Sequence, residues 1–334
     1  MRKAPLPRHV PLVTTLRGGI PECVHTGSIA VVDTTGRLVA AAGDPYSVNF
    51  TRSALKPVQA LPFIEDGGMV RFGFTSHELA VICGSHSGEP VHLAAVRRIL
   101  RRIGARVSDL QCGCHPPAYF AAVGRHPPTG ARYSPLHHNC SGKHAGFLAY
   151  CRLHGHSLSR YLDLNSPLQR RIRATLRRLA PGDTLVLGTD GCSAPNYAMP
   201  LARLAHIYCR LACDDATEWA ALRFAMTRHP DLVSGTRRTD LALMQAGNGG
   251  WVAKAGAGGI QALGIRSLGL GIAIRVAAGD SRALHATTIE VLRQLGLLGE
   301  AERAALAPFA ESAIRSHRGQ VVGRIVPAFK LRRA

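Results

Sequence analysis

The sequence predicts an α+β fold in which an antiparallel sheet, built from the two chain ends, carries a mostly helical insertion. Three observations lead there. Period-two apolar patterning is confined to about residues 8–50 and 250–330. Helical periodicity with repeated start and stop signals fills about residues 53–245. Strands and helices are thus segregated along the chain, whereas regular β-α alternation would have argued for a parallel sheet. We expect one domain over residues 1–334, with no internal repeat and no low-complexity linker.

In order, Ser28–Asp33, a Thr-Thr-Gly turn and Arg37–Ala42 read as a β-hairpin. Ser76 with Glu78 opens a helix. Glu89-Pro90 opens another that ends near Gly104, since proline is tolerated in a first helical turn. Ser141 opens a third, closing around Gly155. Pro167–Ala180 is a fourth, stopped by Pro181-Gly182. Strand-like runs return at Trp251–Ala257, Ile260–Ile265 and Gly271–Ala278. A helix over Ser281–Leu295 and a strand over Gln320–Val326 complete the pattern.

With 334 residues, 46% apolar and 19% charged, the chain can bury a sizeable core and is neither disordered nor fibrous. Its apolar runs fall short of the roughly 18 residues that cross a bilayer, and the basic, proline-broken first twenty residues lack the apolar stretch of a signal peptide. Nine cysteines without an export signal favour reduced thiols. The expectation is a cytoplasmic protein without membrane association.

The formal charge is +20, yet only five of the 41 basic residues are lysine. The arginines cluster at helical spacing, as in Arg97-Arg98-Ile-Leu-Arg101-Arg102 and around Arg170–Arg178, without interleaved aromatic residues. They read as wet faces of amphipathic helices and not as a nucleic-acid site. Lysine can lose its proton where arginine cannot. Lys3 and Lys330 lie near the termini; Lys56, Lys143 and Lys254 fall in short segments rich in Ser, Gly, Cys and His. These three are candidates for a task arginine cannot perform.

Arg52-Ser53-Ala54-Leu55-Lys56-Pro57 places a hydroxyl and an amine three residues apart, on one face of a helix. A lysine held neutral can take the proton that makes serine a nucleophile; a plain N-cap with a surface lysine is the other reading. Pro57 lacks an N–H, so the helix start should be irregular. Cys83-Gly84-Ser85-His86-Ser87-Gly88-Glu89-Pro90 puts Ser85 on a tight turn after the buried run Leu79–Ile82, or is an ordinary glycine-rich loop. His137-His138-Asn139-Cys140-Ser141-Gly142-Lys143-His144 and Gly188-Thr189-Asp190-Gly191-Cys192-Ser193-Ala194-Pro195 bring thiols to helix or strand ends. Two thiolates with nitrogen donors would suit tetrahedral zinc; two buried thiols acting as small apolar residues is the alternative. Lys254, on a strand followed by small residues, stands where a ligand can approach the strand edge. Cys112-Gly113-Cys114-His115 has no second pair at zinc-finger spacing and reads as structural.

Ser-x-x-Lys, a serine turn about thirty residues on and a late Lys-x-Gly are similar in arrangement to the serine β-lactamases and penicillin-binding proteins. Ser-Ala-Leu-Lys-Pro, Cys-x-Ser-His-Ser-Gly-Glu, Asn-Cys-Ser-Gly-Lys-His, Asp-Gly-Cys-x-Ala-Pro and the later His-Pro-x-Leu-Val-x-Gly resemble more closely the asparaginase II family, the zinc-containing serine–lysine L-asparaginases of rhizobial type. The resemblance runs from about Ser28 to Val326. It implies a β-lactamase-like fold, a homodimer and an enzyme that hydrolyses L-asparagine to aspartate and ammonia. It implies Ser53 with Lys56 as one catalytic pair and Ser85 with Lys254 as a second. Cys140, Lys143 and Cys192 fall where the family binds zinc, and Arg52, His144 and Asp190 where substrate is oriented. The family usually reads Gly-Ala-Glu-Gly after its late lysine; here Ala255-Gly256-Ala257-Gly258 lacks the acidic residue. A zinc-dependent amidohydrolase with a metal-bound water, a β-lactamase-like hydrolase of another small amide, and a non-enzymatic metal-responsive or DNA-binding protein are the competing readings.

Overall fold

The structure, a computed structural model, describes residues 6–334. Its strands in chain order are β1 (Val10–Arg17), β2 (Ile20–Val32), β3 (Leu38–Ala42), β4 (Val48–Phe50), β5 (Val186–Thr189), β6 (Pro195–Pro200), β7 (Trp251–Gly256), β8 (Ile260–Ile265), β9 (Leu270–Val276), β10 (Ala313–Arg315), β11 (Val321–Pro327) and β12 (Arg332–Arg333). The architecture is α+β, with every pairing in the main sheet antiparallel. Two compact units share the chain. One holds the residues up to Ala54, Ala198–Cys213 and Ala246–Ala334; the other holds Leu55–Tyr197 and Asp214–Gln245.

The first unit contains a nine-stranded sheet in the order β10-β11-β1-β2-β9-β8-β7, with β3 against β2 and β12 against β3. The expected hairpin is β2–β3, and the three late strands are β7, β8 and β9. Residues directly opposite in an antiparallel sheet point to the same face. Three rows on one face therefore follow from the register: Val252–Gly264–Gly271–Val32, Lys254–Ala262–Ala273–Ala30 and Gly256–Ile260–Arg275–Ser28.

The helix Leu201–Cys213 packs on the first of those rows, and glycine is what admits it. A side-chain carbon on Gly264 would lie 2.1 Å from the Tyr208 carbonyl oxygen, and one on Gly271 only 1.9 Å from that of Ala205. This helix was expected within the helical insertion; it belongs instead to the sheet unit. Strand β1, broken in register after Pro11, and the short β10 fall in the stretches expected to form the sheet, though neither was delimited individually.

In the second unit, the start and stop signals correspond to helices Ser76–Cys83, Pro90–Arg102, Ser141–Leu153 and Pro167–Leu179. The first begins one residue beyond its cap, where Thr75 and Glu78 form a reciprocal capping box. The arginine-rich helices bury Val96, Ile99 and Leu100, or Leu168, Ile172 and Leu176, and turn Arg97, Arg101, Arg177 and Arg178 to solvent. Arg171 pairs with Glu65 and Asp66. No described helix is long and apolar enough to cross a membrane, and all nine cysteines are free thiols.

Gly271→Ala drives a methyl group into the Ala205 carbonyl, and overpacking of this kind costs about 1–3 kcal/mol. Thermal unfolding of the variant should show a Tm several degrees below that of the unsubstituted protein; an unchanged Tm contradicts the close approach.

Candidate active site

The sequence-marked residues fall into two groups, one in each unit. Arg52, Ser53 and Lys254 lie in the sheet unit; Lys56, Ser85, Cys140, Lys143, His144, Asp190 and Cys192 lie in the helical one.

In the sheet unit the chain leaves β4, turns through Arg52 in the left-handed region (φ 50°) and enters a 3-10 turn, Arg52–Leu55, directly ahead of the helix Lys56–Glu65. The irregular start is the one Pro57 imposes. A left-handed residue other than glycine costs roughly 1–2 kcal/mol. Two contacts hold the turn. The Tyr208 hydroxyl donates to the Ala54 carbonyl at 2.9 Å. Gly256 leaves space for the backbone, since a side-chain carbon there would lie 2.9 Å from the Thr51 oxygen and 3.0 Å from Arg52 Cβ. Lys254 is fully buried on the same face as Gly256, flanked in its row by the alanines, which leave room for a long side chain. Its Nζ donates to the Ala255 carbonyl at 3.0 Å.

In the helical unit, Lys56 is 1% and Ser85 is 4% exposed. Lys56 Nζ donates to the Gly84 carbonyl at 2.5 Å and to Ser85 Oγ at 2.9 Å. The resemblance paired Ser85 with Lys254; the hydrogen bond described for Ser85 is to Lys56. The loop is fixed from the other side, where the Ser85 N–H donates to the Val233 carbonyl at 2.8 Å. Gly84 permits that approach, because a side-chain carbon there would stand 2.7 Å from the Leu232 oxygen. A cavity of about 10 Å³, near the minimum for a single water, lies along the stems of Lys56 and Lys143 beside Gln59 and Tyr150.

Lys143 Nζ donates to Cys192 Sγ at 3.1 Å. The Cys140 thiol is held well below its ordinary pKa, first by the hydrogen bond from Cys192, with Lys56, His138 and Lys143 adding to it against burial. Cys192 is displaced upward, chiefly because it is the donor to Cys140. Burial works to lower the Lys143 pKa, but the adjoining sulfurs of Cys192 and Cys140 outweigh it and raise it. Asp190 adds to that effect from its turn, in which the Ser193 N–H donates to the Asp190 carbonyl at 2.8 Å.

His144 was singled out in the sequence; its hydrogen-bond partner, Tyr161, was not. The Gln111 N–H donates to the Tyr161 oxygen at 2.7 Å, and the same hydroxyl is hydrogen-bonded to His144 Nδ1 at 2.8 Å. Burial, and then Lys143, keep this imidazole neutral. The other ring nitrogen, Nε2, is buried and has no hydrogen-bond partner among the described residues. A second relay, also outside the expected set, runs from the Gly88 N–H to His86 Nδ1 (3.1 Å) and from His86 Nε2 to Ser141 Oγ (2.8 Å), which donates to the Leu136 carbonyl.

No group of three His, Cys, Asp or Glu residues suited to a metal occurs among the described residues. The third member of the proposed zinc set is a lysine, and the set itself fits. Two soft sulfurs and an amine adjoin one another, one thiol is predisposed to ionise, and the unpartnered Nε2 of His144 belongs to the same helix as Lys143.

The model of the L-asparaginase II family matches residues 13–327. The chain belongs to that family. It is accordingly an asparaginase-type amidohydrolase by descent. No protein of curated function matches it. Among solved structures it is similar to a β-lactamase from Mycobacterium bovis, at 15% identity over 85% of this chain and 95% of the other, with a TM-score of 0.34. It is also similar to Mglu in its native form, at 14% identity over 82% of this chain and 66% of the other, with a TM-score of 0.37. Superpositions this loose decide nothing about the reaction.

His86 and His92 stack at 5.1 Å, and burial holds both below the ordinary imidazole pKa. The folded chain then refuses protons that the unfolded chain accepts below about pH 6.5. Stability should be flat above that pH and fall as the solution is acidified towards pH 5. Tm measured across that range checks the sign, and a Tm that rises on acidification contradicts it.

Proposed function

We propose that the protein hydrolyses L-asparagine to L-aspartate and ammonia through an acyl-enzyme on serine, with lysine as the base. Beside the family assignment, one observation carries the reading: the buried hydrogen bond of 2.9 Å between Lys56 Nζ and Ser85 Oγ. A lysine enclosed in this way next to a serine hydroxyl forms a buried amine–hydroxyl path for moving a proton, as a serine–lysine hydrolase requires, while the nucleophile's place at Ser53 follows the family resemblance.

In the proposed sequence, Ser53 Oγ attacks the side-chain amide carbon while its proton passes to the neutral amine of Lys56. Ser85 and Lys254 extend the path by which a proton reaches the departing nitrogen, so the C–N bond breaks as ammonia leaves. Water then attacks the ester carbon, yields its proton to the same base and releases aspartate and Ser53. Backbone N–H groups around the 3-10 turn supply the oxyanion donors. Arg52 receives the α-carboxylate, for which a guanidinium fork is suited. Asp190 receives the α-ammonium, and the unpartnered His144 Nε2 is available to a polar group of the substrate.

Cys140, Lys143 and Cys192 would hold the zinc, which supplies a fixed positive charge for orienting the substrate when bound. The depressed pKa of Cys140 keeps its sulfur ready as a ligand. The family resemblance also supports a homodimer with a small-molecule substrate.

Ammonia release from L-asparagine and L-glutamine, measured for the unsubstituted protein, for Ser53→Ala and after chelation, tests the reading. We expect turnover of L-asparagine, a loss of at least ~100-fold in Ser53→Ala and partial retention after chelation. Metal-dependent turnover surviving in Ser53→Ala points to a metal-bound water as nucleophile. Absence of ammonia from both amides overturns the substrate.

A further inference from the structure

Arg275 stands on β9 in the row Gly256–Ile260–Arg275–Ser28, on the same face as Lys254 and one row away from it. Its guanidinium converges with that of Arg52. A side-chain carbon placed on Gly258 would lie 3.2 Å from Arg275 Nη1 and 3.8 Å from Arg52 Nη1. Both cations thus border the space over one glycine, at the exposed tip of the β7–β8 hairpin. Gly258 (φ 74°) and Gly259 (φ 81°) give the tip its shape, and a side chain on Gly259 would collide with the Val276 carbonyl at 2.4 Å.

Arg275 is held in place by its surroundings. Its Nη2 donates to the Ala277 carbonyl at 3.3 Å. Ser28, opposite it on β2, is fully buried, accepts from the Asp44 N–H at 2.9 Å and bonds His9 Nδ1 at 2.8 Å. No ion pair joins Arg275 to a carboxylate among the described residues. Burial lowers its pKa first, and the charge of Arg52 adds to this as the cost of holding two like charges together. An anion bound over Gly258 relieves that cost, and a planar carboxylate matches a guanidinium fork.

We propose that Arg275 and Arg52 together bind the α-carboxylate of the amide substrate, which makes Arg275 a specificity-determining residue for amides that carry a free carboxylate. The assignment rests on the amidohydrolase reading for its substrate, while the subsite can be tested apart from turnover.

The experiment compares the unsubstituted protein with Arg275→Gln and Arg275→Lys, each checked for an unchanged Tm. Calorimetry reads the affinity for L-aspartate, and ammonia release reads KM and kcat for L-asparagine and for its α-methyl ester. Losing a charged hydrogen-bond partner should weaken L-aspartate binding roughly tenfold to a hundredfold in Arg275→Gln. KM for L-asparagine should rise by a similar factor with kcat moving less, while the methyl ester, without the carboxylate charge, is handled as before. Arg275→Lys, which keeps the charge and loses the fork, should fall between the two, and decides the matter if Arg275→Gln does not fold. L-Aspartate binding equal in all three proteins overturns the proposal, as does an equal rise in KM for acid and ester. If no amide yields ammonia but L-aspartate binds in an Arg275-dependent manner, the amidohydrolase reading fails and the carboxylate subsite stands.

Discussion

A lysine side chain withdrawn from water is the constraint around which the helical unit is arranged. Burying Lys56 at 1% exposure is costly unless its amine is hydrogen-bonded. Gly84 and Ser85 supply those bonds, and the elements that position them are explained by that requirement. The Thr75–Glu78 box starts the helix that delivers Gly84 to the site; the missing side chain at Gly84 lets the segment ending in Val233 clamp the loop. Lys143 repeats the solution with a sulfur as acceptor. Two enclosed amines thus share one unit of a chain in which only five of 41 basic residues are lysine.

The sheet unit is governed by close approach. Glycines at 264 and 271 bring the helix Leu201–Cys213 down to backbone contact with one end of a sheet face. Gly256 lets the turn through Thr51 and Arg52 rest on the same face. Between these contacts lies the row of small residues beside Lys254. In register beside Lys254 the sheet carries only alanines, at 262, 273 and 30.

The strands and the four helices marked by start and stop residues were legible because period and turn residues agree in those segments. The helix Leu201–Cys213 lay within the stretch read as helical, but nothing within it marked it as a partner of the sheet. Periodicity gives a buried face without naming what covers it; the signal was in the glycines of β8 and β9, sixty residues away. The three interior lysines and their motifs were readable from composition. The Ser85–Lys56 bond was not, since a spacing of three directs attention to Ser53 and nothing in the sequence reports a loop returning thirty residues later. Tyr161, which is hydrogen-bonded to His144, and Arg275 carry no local motif. Each becomes visible only through register or hydrogen-bond geometry.

The central claim is that Lys56 is the base of the reaction and not merely a well-satisfied core residue. The direct measurement is kcat/KM for ammonia release from L-asparagine by Lys56→Met, which keeps the volume of the stem and removes the amine, in a preparation whose Tm matches that of the unsubstituted protein. The account predicts a loss of about 100-fold or more, the scale of a missing general base. Retention of turnover at nearly the original rate would contradict it.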